Sequence, residues 1–204
     1  MDVATPPLRL DPERALAGLV WSEVFGRVAP VEVEVGIGKG RFLLAAAASR
    51  PDVDHLGIEW ANEYLRIAET RAGKRGLRNV RFVRADAKDL VARAIPETSV
   101  AAYYVFYPDP WPKKRHQKRR LVSAATLGEL ARIMRPGAEL RIATDIGDYA
   151  RWILLAVREQ HSFGWSVEGP RDWRERPPDW PSTRYEAKAL REGRRSTYFR
   201  FRRA

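Results

Sequence analysis

The stretch VEVEVGIGKGRFLLAAAA, Val31 to Ala48, constrains the fold more than any other part of the chain. Its first five residues alternate apolar and acidic, the period of a strand. Glycine then recurs at positions 36, 38 and 40, where it supplies tight backbone that other residues enter at a cost. The apolar run behind it predicts a helix ending before Pro51. A strand that runs straight into a helix cannot close as a hairpin; it crosses over and leads to a parallel neighbour.

The pattern recurs downstream. Strands are predicted at His55–Glu59, Val80–Val83, Val100–Phe106 and Glu139–Ala143. Between them lie predicted helices: Ala61–Arg75 closed by Gly76, a weak one at Lys88–Ala94, Arg119–Met134 stopped by a Pro136-Gly137 turn, and Asp148–Gln160 after the last of these strands. Such alternation implies an α/β fold, a mostly parallel central sheet with helices on both faces. Asp11-Pro12-Glu13 predicts a helix start, with one helix to Phe25 ended by Gly26. Residues 1–30 thus read as an N-terminal helical segment ahead of a domain over 31–204. Residues 169–182 are rich in Pro, Trp and Arg without a period, and Trp173 and Trp180 there read as packing anchors. Thr197–Arg202 alternates as a last strand.

The 204 residues suit one domain. Lys and Arg number 37 against 26 Asp and Glu, a net charge of +11 that points to a polyanionic partner, most often nucleic acid. Cysteine is absent, which excludes disulfides and thiolate chemistry, and His55, His116 and His161 lack ligand spacing, so no metal is expected. The longest apolar run, Phe42–Ala48, is far short of the roughly 20 residues a bilayer span needs. The acidic, proline-rich start lacks a signal-peptide core, so a cytoplasmic location, with no membrane partner, is the expectation.

In a parallel sheet, ligands gather beyond the C-terminal ends of the strands. That rule places Glu34 to Gly40, Glu59, Asp86, the Asp109 loop and Asp145 at one edge. The glycine loop fails the dinucleotide fingerprint, because position 41 is Arg41 where a glycine is required. Glu34 just before it would also repel a pyrophosphate. S-adenosylmethionine, which carries an ammonium and a sulfonium but no phosphate, tolerates that acid. Glu59 fits the acid that accepts ribose hydroxyls, and Asp86 suits either a helix cap or an adenine contact.

After the Val100–Phe106 strand comes YPDPWPKKRHQKRR, Tyr107 to Arg120. Prolines on both sides hold Asp109 on stiff backbone. Trp111 offers a flat surface for a base, and the cations offer phosphate contacts. A localisation patch would need neither the bracketed acid nor the sheet edge, and a solvated basic face, though commoner, usually carries mixed signs.

The blocks EVGIGKG (34–40), GIE (57–59), PDPWPKKRHQKRR (108–120), ATD (143–145) and TRYE (183–186) resemble, in order and spacing, the tRNA (guanine-N7-)-methyltransferase family from about Val31 onward. Pro112 departs from the histidine common there. The resemblance implies a Rossmann-like class I methyltransferase fold with an antiparallel C-terminal strand, S-adenosylmethionine as cofactor and tRNA as partner, in a monomer or homodimer. It implies cofactor contacts from Glu34, Gly36, Gly38, Gly40, Glu59, Asp86 and Asp109, with Asp109 also catalytic. Lys113, Asp145, Thr183, Arg184, Tyr185 and Glu186 take substrate roles, and Arg115, His116, Gln117, Lys118, Arg119 and Arg120 bind RNA. The product would be 7-methylguanosine in the tRNA variable loop. Two rivals are an exocyclic-amine methyltransferase, for which Asp109-Pro110-Trp111 lacks a second proline, and a non-catalytic RNA-binding module on the same fold.

Overall fold

The structure of the protein, a computed structural model, describes residues 7–180 and 183–204. Helices α1 (Pro12–Leu16) and α2 (Trp21–Phe25) open the chain. Asp11 caps α1 by accepting from the Arg14 N–H at 2.9 Å. The single helix expected to Phe25 is two, because Gly18 sits at φ +132°, outside any helix.

Strand β1 (Val31–Val35) leads through α3 (Arg41–Ser49) to β2 (Asp54–Ile58), then through α4 (Asn62–Lys74) to β3 (Val80–Val83). Helix α5 (Ala87–Arg93) precedes β4 (Val100–Phe106), and α6 (Ala124–Ile133) precedes β5 (Met134–Thr144). After α7 (Gly147–Gln160) come β6 (Phe163–Trp165), α8 (Arg171–Arg174), α9 (Arg184–Arg191) and β7 (Thr197–Arg203). The seven strands lie in the order β3-β2-β1-β4-β5-β7-β6. The first five run parallel, and β7 lies antiparallel between β5 and β6.

Two boundaries move from their expected places. Ser123 accepts from the Thr126 N–H at 3.2 Å and caps α6, which starts at Ala124 instead of Arg119; Arg119 ends a separate 3₁₀ turn, Lys114–Arg119. Pro136-Gly137 lies inside β5. Val100 pairs with Met134 and Ala102 with Glu139, so residues 135–138 bulge out opposite Ala101, with Gly137 at φ +77°.

The main core gathers Val33, Val105, Leu140 and Ile142 with α6 and α7. Ala15, Leu19 and Phe25 pack into the same cluster, so the N-terminal stretch shares the core of the sheet. Its main chain also extends the sheet: Leu10 N–H donates to the Phe82 carbonyl and Phe82 N–H to that of Leu8, both at 2.8 Å. Trp180 is buried against Phe106 and Tyr198, while Trp173 is half-buried beneath the Arg174 guanidinium. Glu32 in β1 accepts both Arg50 nitrogens at 2.5 and 2.7 Å and the Tyr104 hydroxyl at 2.8 Å. His55 Nδ1 lies 3.7 Å from the same carboxylate, but burial pushes its pKa down to about 4, so the imidazole is neutral and no ion pair forms. Among the described residues no helix is long and apolar enough to cross a membrane.

Candidate active site

The chain leaves β1 toward β2 on one side and β4 toward β5 on the other. The loops beyond these adjacent strands therefore diverge and open a crevice. A cleft of about 420 Å³ lies there, walled by the ends of β1 to β4 and by Tyr185 of α9.

Gly36, Gly38 and Gly40 all take left-handed φ, +69°, +52° and +72°. A Cβ on Gly40 would meet the Ala68 Cβ at 2.9 Å, so this glycine sets the approach of the loop to α4. At Gly36 and Gly38 the space is open. Gly38 N–H donates to Glu59 Oε2 at 2.8 Å and Ala61 N–H to Oε1 at 2.9 Å, which leaves each oxygen further acceptor capacity. Glu59 and Asp86 both line the cleft. Asp86 also caps α5 by accepting from Lys88 N–H at 2.8 Å, so both sequence readings of it describe the same carboxylate. Glu34 stands apart: it is buried at the end of β1 against the α3 backbone near Leu43 and does not line the cleft. Burial pushes its carboxyl up to about 8, and its Oε2 has no hydrogen-bond partner among the described residues.

Asp109 is exposed at the cleft. The turn carrying it is more constrained than the prolines alone imply, because Tyr107 and Trp111 on its two flanks have φ of +53° and +41°. Such backbone costs non-glycine residues roughly 1–2 kcal/mol each and persists only where neighbours hold it. Tyr107 N–H donates to the Ala143 carbonyl at 2.8 Å, its hydroxyl meets Ser196 at 3.0 Å, and its ring stacks on Tyr185 at 6.1 Å. Burial, then Tyr64, Glu59 and Asp109, push the Tyr185 hydroxyl pKa up, and the ring lines the cleft. Trp111 already has the Arg119 guanidinium at 5.0 Å over one face.

The remaining expected residues separate. Asp145 accepts Arg194 Nε at 2.7 Å instead of opening freely into the cleft. Thr183 caps α9 by accepting from Glu186 N–H at 3.0 Å. Glu186 is buried, bonded to the Tyr198 hydroxyl at 2.6 Å and to Arg176 at 3.2 Å. Arg184 opens α9, and its side chain lies outside the described residues. Lys113, Lys114, Arg115, Lys118 and Arg119 are exposed on or beside the 3₁₀ turn, while His116 and Gln117 are half-buried. Arg120 corrects the sequence reading. It is 1% exposed, with its guanidinium turned inward onto α7 and unavailable to a phosphate. Among the cleft's aromatic residues, Trp60, Tyr64 and Tyr107 were given no role by the sequence. Tyr107 adjoins the Pro-bracketed Asp, but nothing in the sequence separates it from the buried Tyr103 and Tyr104. Arg194 likewise shows no signal for a partner 49 residues away.

Fold and cleft together define the class I methyltransferase architecture. A 16S rRNA methyltransferase, KamB, superposes with a TM-score of 0.60 at 16% identity, over 89% of this chain and 92% of its own. The [4+2]-cyclase SpnF reaches 0.60 at 15% identity over 89% and 78%, so architecture alone does not settle the chemistry. A family model described as a putative methyltransferase matches residues 28–198. A tRNA (guanine-N(7)-)-methyltransferase of Zymomonas mobilis is 36% identical over 100% of this chain and 86% of its own length, and one of Rhodospirillum rubrum is 42% identical over 84% and 67%. The chain belongs to the tRNA (guanine-N7-)-methyltransferase family.

Proposed function

We propose that the protein transfers a methyl group from S-adenosylmethionine to N7 of a guanosine in the variable loop of tRNA. The observation that carries this reading is the position of Asp109. Its turn is locked by two prolines and two left-handed flanks, and it lines the same cleft as Glu59 and Asp86 at the switch between β1 and β4.

The residues present suit the cofactor. Glu59 and Asp86 keep acceptor capacity for ribose and adenine donors, and Gly36 leaves room at the β1 end. Ile58, Ala85 and Phe106 give the cleft apolar walls. When bound, S-adenosylmethionine supplies an activated methyl on a sulfonium.

Guanine N7 has a lone pair and no proton to lose, so no side chain needs to act as a base. The work left to the protein is alignment and exclusion of water. Methylation leaves the purine positive, and the Asp109 carboxylate at the cleft favours that charge. A carboxylate also suits the N1–H and amine donors of guanine, a role open to Asp109 or to the Asp145 oxygen that Arg194 leaves free. Tyr185 and Trp111 border the same opening and shield it from water. The exposed cations from Lys113 to Arg119 supply phosphate contacts.

Incubation with labelled S-adenosylmethionine and unmodified tRNA, followed by borohydride and aniline cleavage, tests this. Cleavage in the variable loop is expected, and label without cleavage there would sink the proposal. Asp109→Ala should abolish transfer while cofactor binding by calorimetry persists; near-normal turnover would remove Asp109 from the chemistry.

A further inference from the structure

Arg120 raises a question that the family pattern leaves open. Burying a guanidinium costs several kcal/mol, and an apolar side chain of similar volume would pack without that cost. Its partner Asp148 is 66% exposed, so the pairing offsets little of that cost, but the bond fixes where the guanidinium points. What the guanidinium adds is directed bonding. Its Nε donates to the Pro110 carbonyl at 2.8 Å, one residue beyond Asp109. Its plane lies against the Tyr149 and Trp152 rings of α7, each 4.9 Å away, while a terminal nitrogen pairs with Asp148. The same α7 residues grip the chain just after Arg120: Val122 N–H donates to the Tyr149 hydroxyl at 3.1 Å, and Trp152 Nε1 donates to the Val122 carbonyl at 2.7 Å.

These bonds join two places where the proposed chemistry needs carboxylates. Asp148 lies in the first turn of α7, three residues after Asp145. The Pro110 carbonyl belongs to the strained turn of Asp109, whose other flank is tied to β5 through Tyr107. We infer that Arg120 is a positioning residue, a clamp that seats the Asp109 turn on α7 and so fixes the separation of Asp109 from Asp145. The inference rests on the reading of Asp109 and Asp145 as substrate-facing acids.

Arg120→Lys keeps the charge but loses the planar fork and its stacking. Misplacement of a reacting group by about an ångström costs on the order of a hundredfold, so kcat on tRNA should fall by at least about tenfold. The KM for tRNA, the salt dependence of tRNA binding and the affinity for S-adenosylmethionine should stay within about twofold, since Arg120 touches neither the RNA path nor the cofactor cleft. Asp148→Asn, at an exposed position that the fold tolerates, should lower kcat in the same direction. The double variant should lose less than the sum of the two, as residues of one network do. If Arg120→Lys does not fold, the Asp148→Asn measurement stands alone, and an unchanged kcat there overturns the clamp. A weakened salt dependence with kcat retained also overturns it, by returning Arg120 to the RNA surface. Asp109→Ala in parallel separates the two layers: if that variant turns over, the catalytic reading itself fails. If it is dead while Arg120→Lys keeps wild-type kcat, only the clamp fails.

Discussion

Glu34 and His55 are buried ionisable groups that lack good partners, and they respond to pH in opposite senses. Glu34 has a pKa of 4.5 when unperturbed and about 8 in the fold, so between these values the native chain holds a proton that the unfolded chain has released. Its contribution to stability is therefore full below pH 4.5 and is lost as pH rises toward 8. His55 runs from 6.5 down to about 4, so its contribution is full above 6.5 and is lost as pH falls. The window from 6.5 to 8 isolates Glu34. There, urea denaturation should show Glu34→Gln gaining stability relative to wild type as pH rises; parallel curves would mean the acid is solvated. Glycine substitutions are separable at the same scale. Gly38→Ala meets only the left-handed backbone cost of about 1 kcal/mol, with open space around it. Gly40→Ala adds the 2.9 Å approach to Ala68 and should lower the urea midpoint further; equal destabilisation would mean α4 yields freely.

Among the elements, β1 to β4 and their helices were legible because each is built locally, with a period and a glycine or proline stop. The elements that were missed depend on distant partners. Pro136-Gly137 reads as a turn from its dipeptide, yet pairing with β4 and β7 pulls it into β5 as a bulge. Residues 169–182 carry no period, and the short α8 and β6 draw their order from packing on β7, with Trp180 set against Tyr198. In the basic run, Lys118, Arg119 and Arg120 look alike in sequence. Only Tyr149 and Trp152, about thirty residues further on, turn the third one inward. The three should therefore separate experimentally. Replacing Lys118 and Arg119 with alanine should reduce the salt slope of tRNA binding by about one for each phosphate that no longer meets a cation. An unchanged slope would take the 3₁₀ turn off the RNA path.

For the molecule as a whole, the N-terminal stretch closes the sheet at an edge that would otherwise be open. Leu8 to Leu10 pair with β3, whose far side has no other strand among the described residues. Arg81 of β3 is fully buried; its Nε donates to the Val24 carbonyl and its Nη1 to those of Arg78 and Val80, with its guanidinium 5.2 Å from the Phe25 ring. Among the described residues no carboxylate bonds to it, so the end of α2 supplies part of its solvation. A chain beginning at Val31 would lose that carbonyl, the ring and the core side chains Ala15, Leu19 and Phe25. Arg81 would be left with only the Arg78 and Val80 carbonyls at a newly bared strand. Bared edges pair with one another, and losing the burial of Leu19 and Phe25 costs roughly 1.5–3 kcal/mol for each side chain. The truncated chain should therefore melt at least several degrees lower and form larger species in light scattering, and adding back a peptide of residues 7–30 should reverse both effects. A truncated chain with the parent melting temperature and a single monodisperse peak would show that β3 stands without its cover.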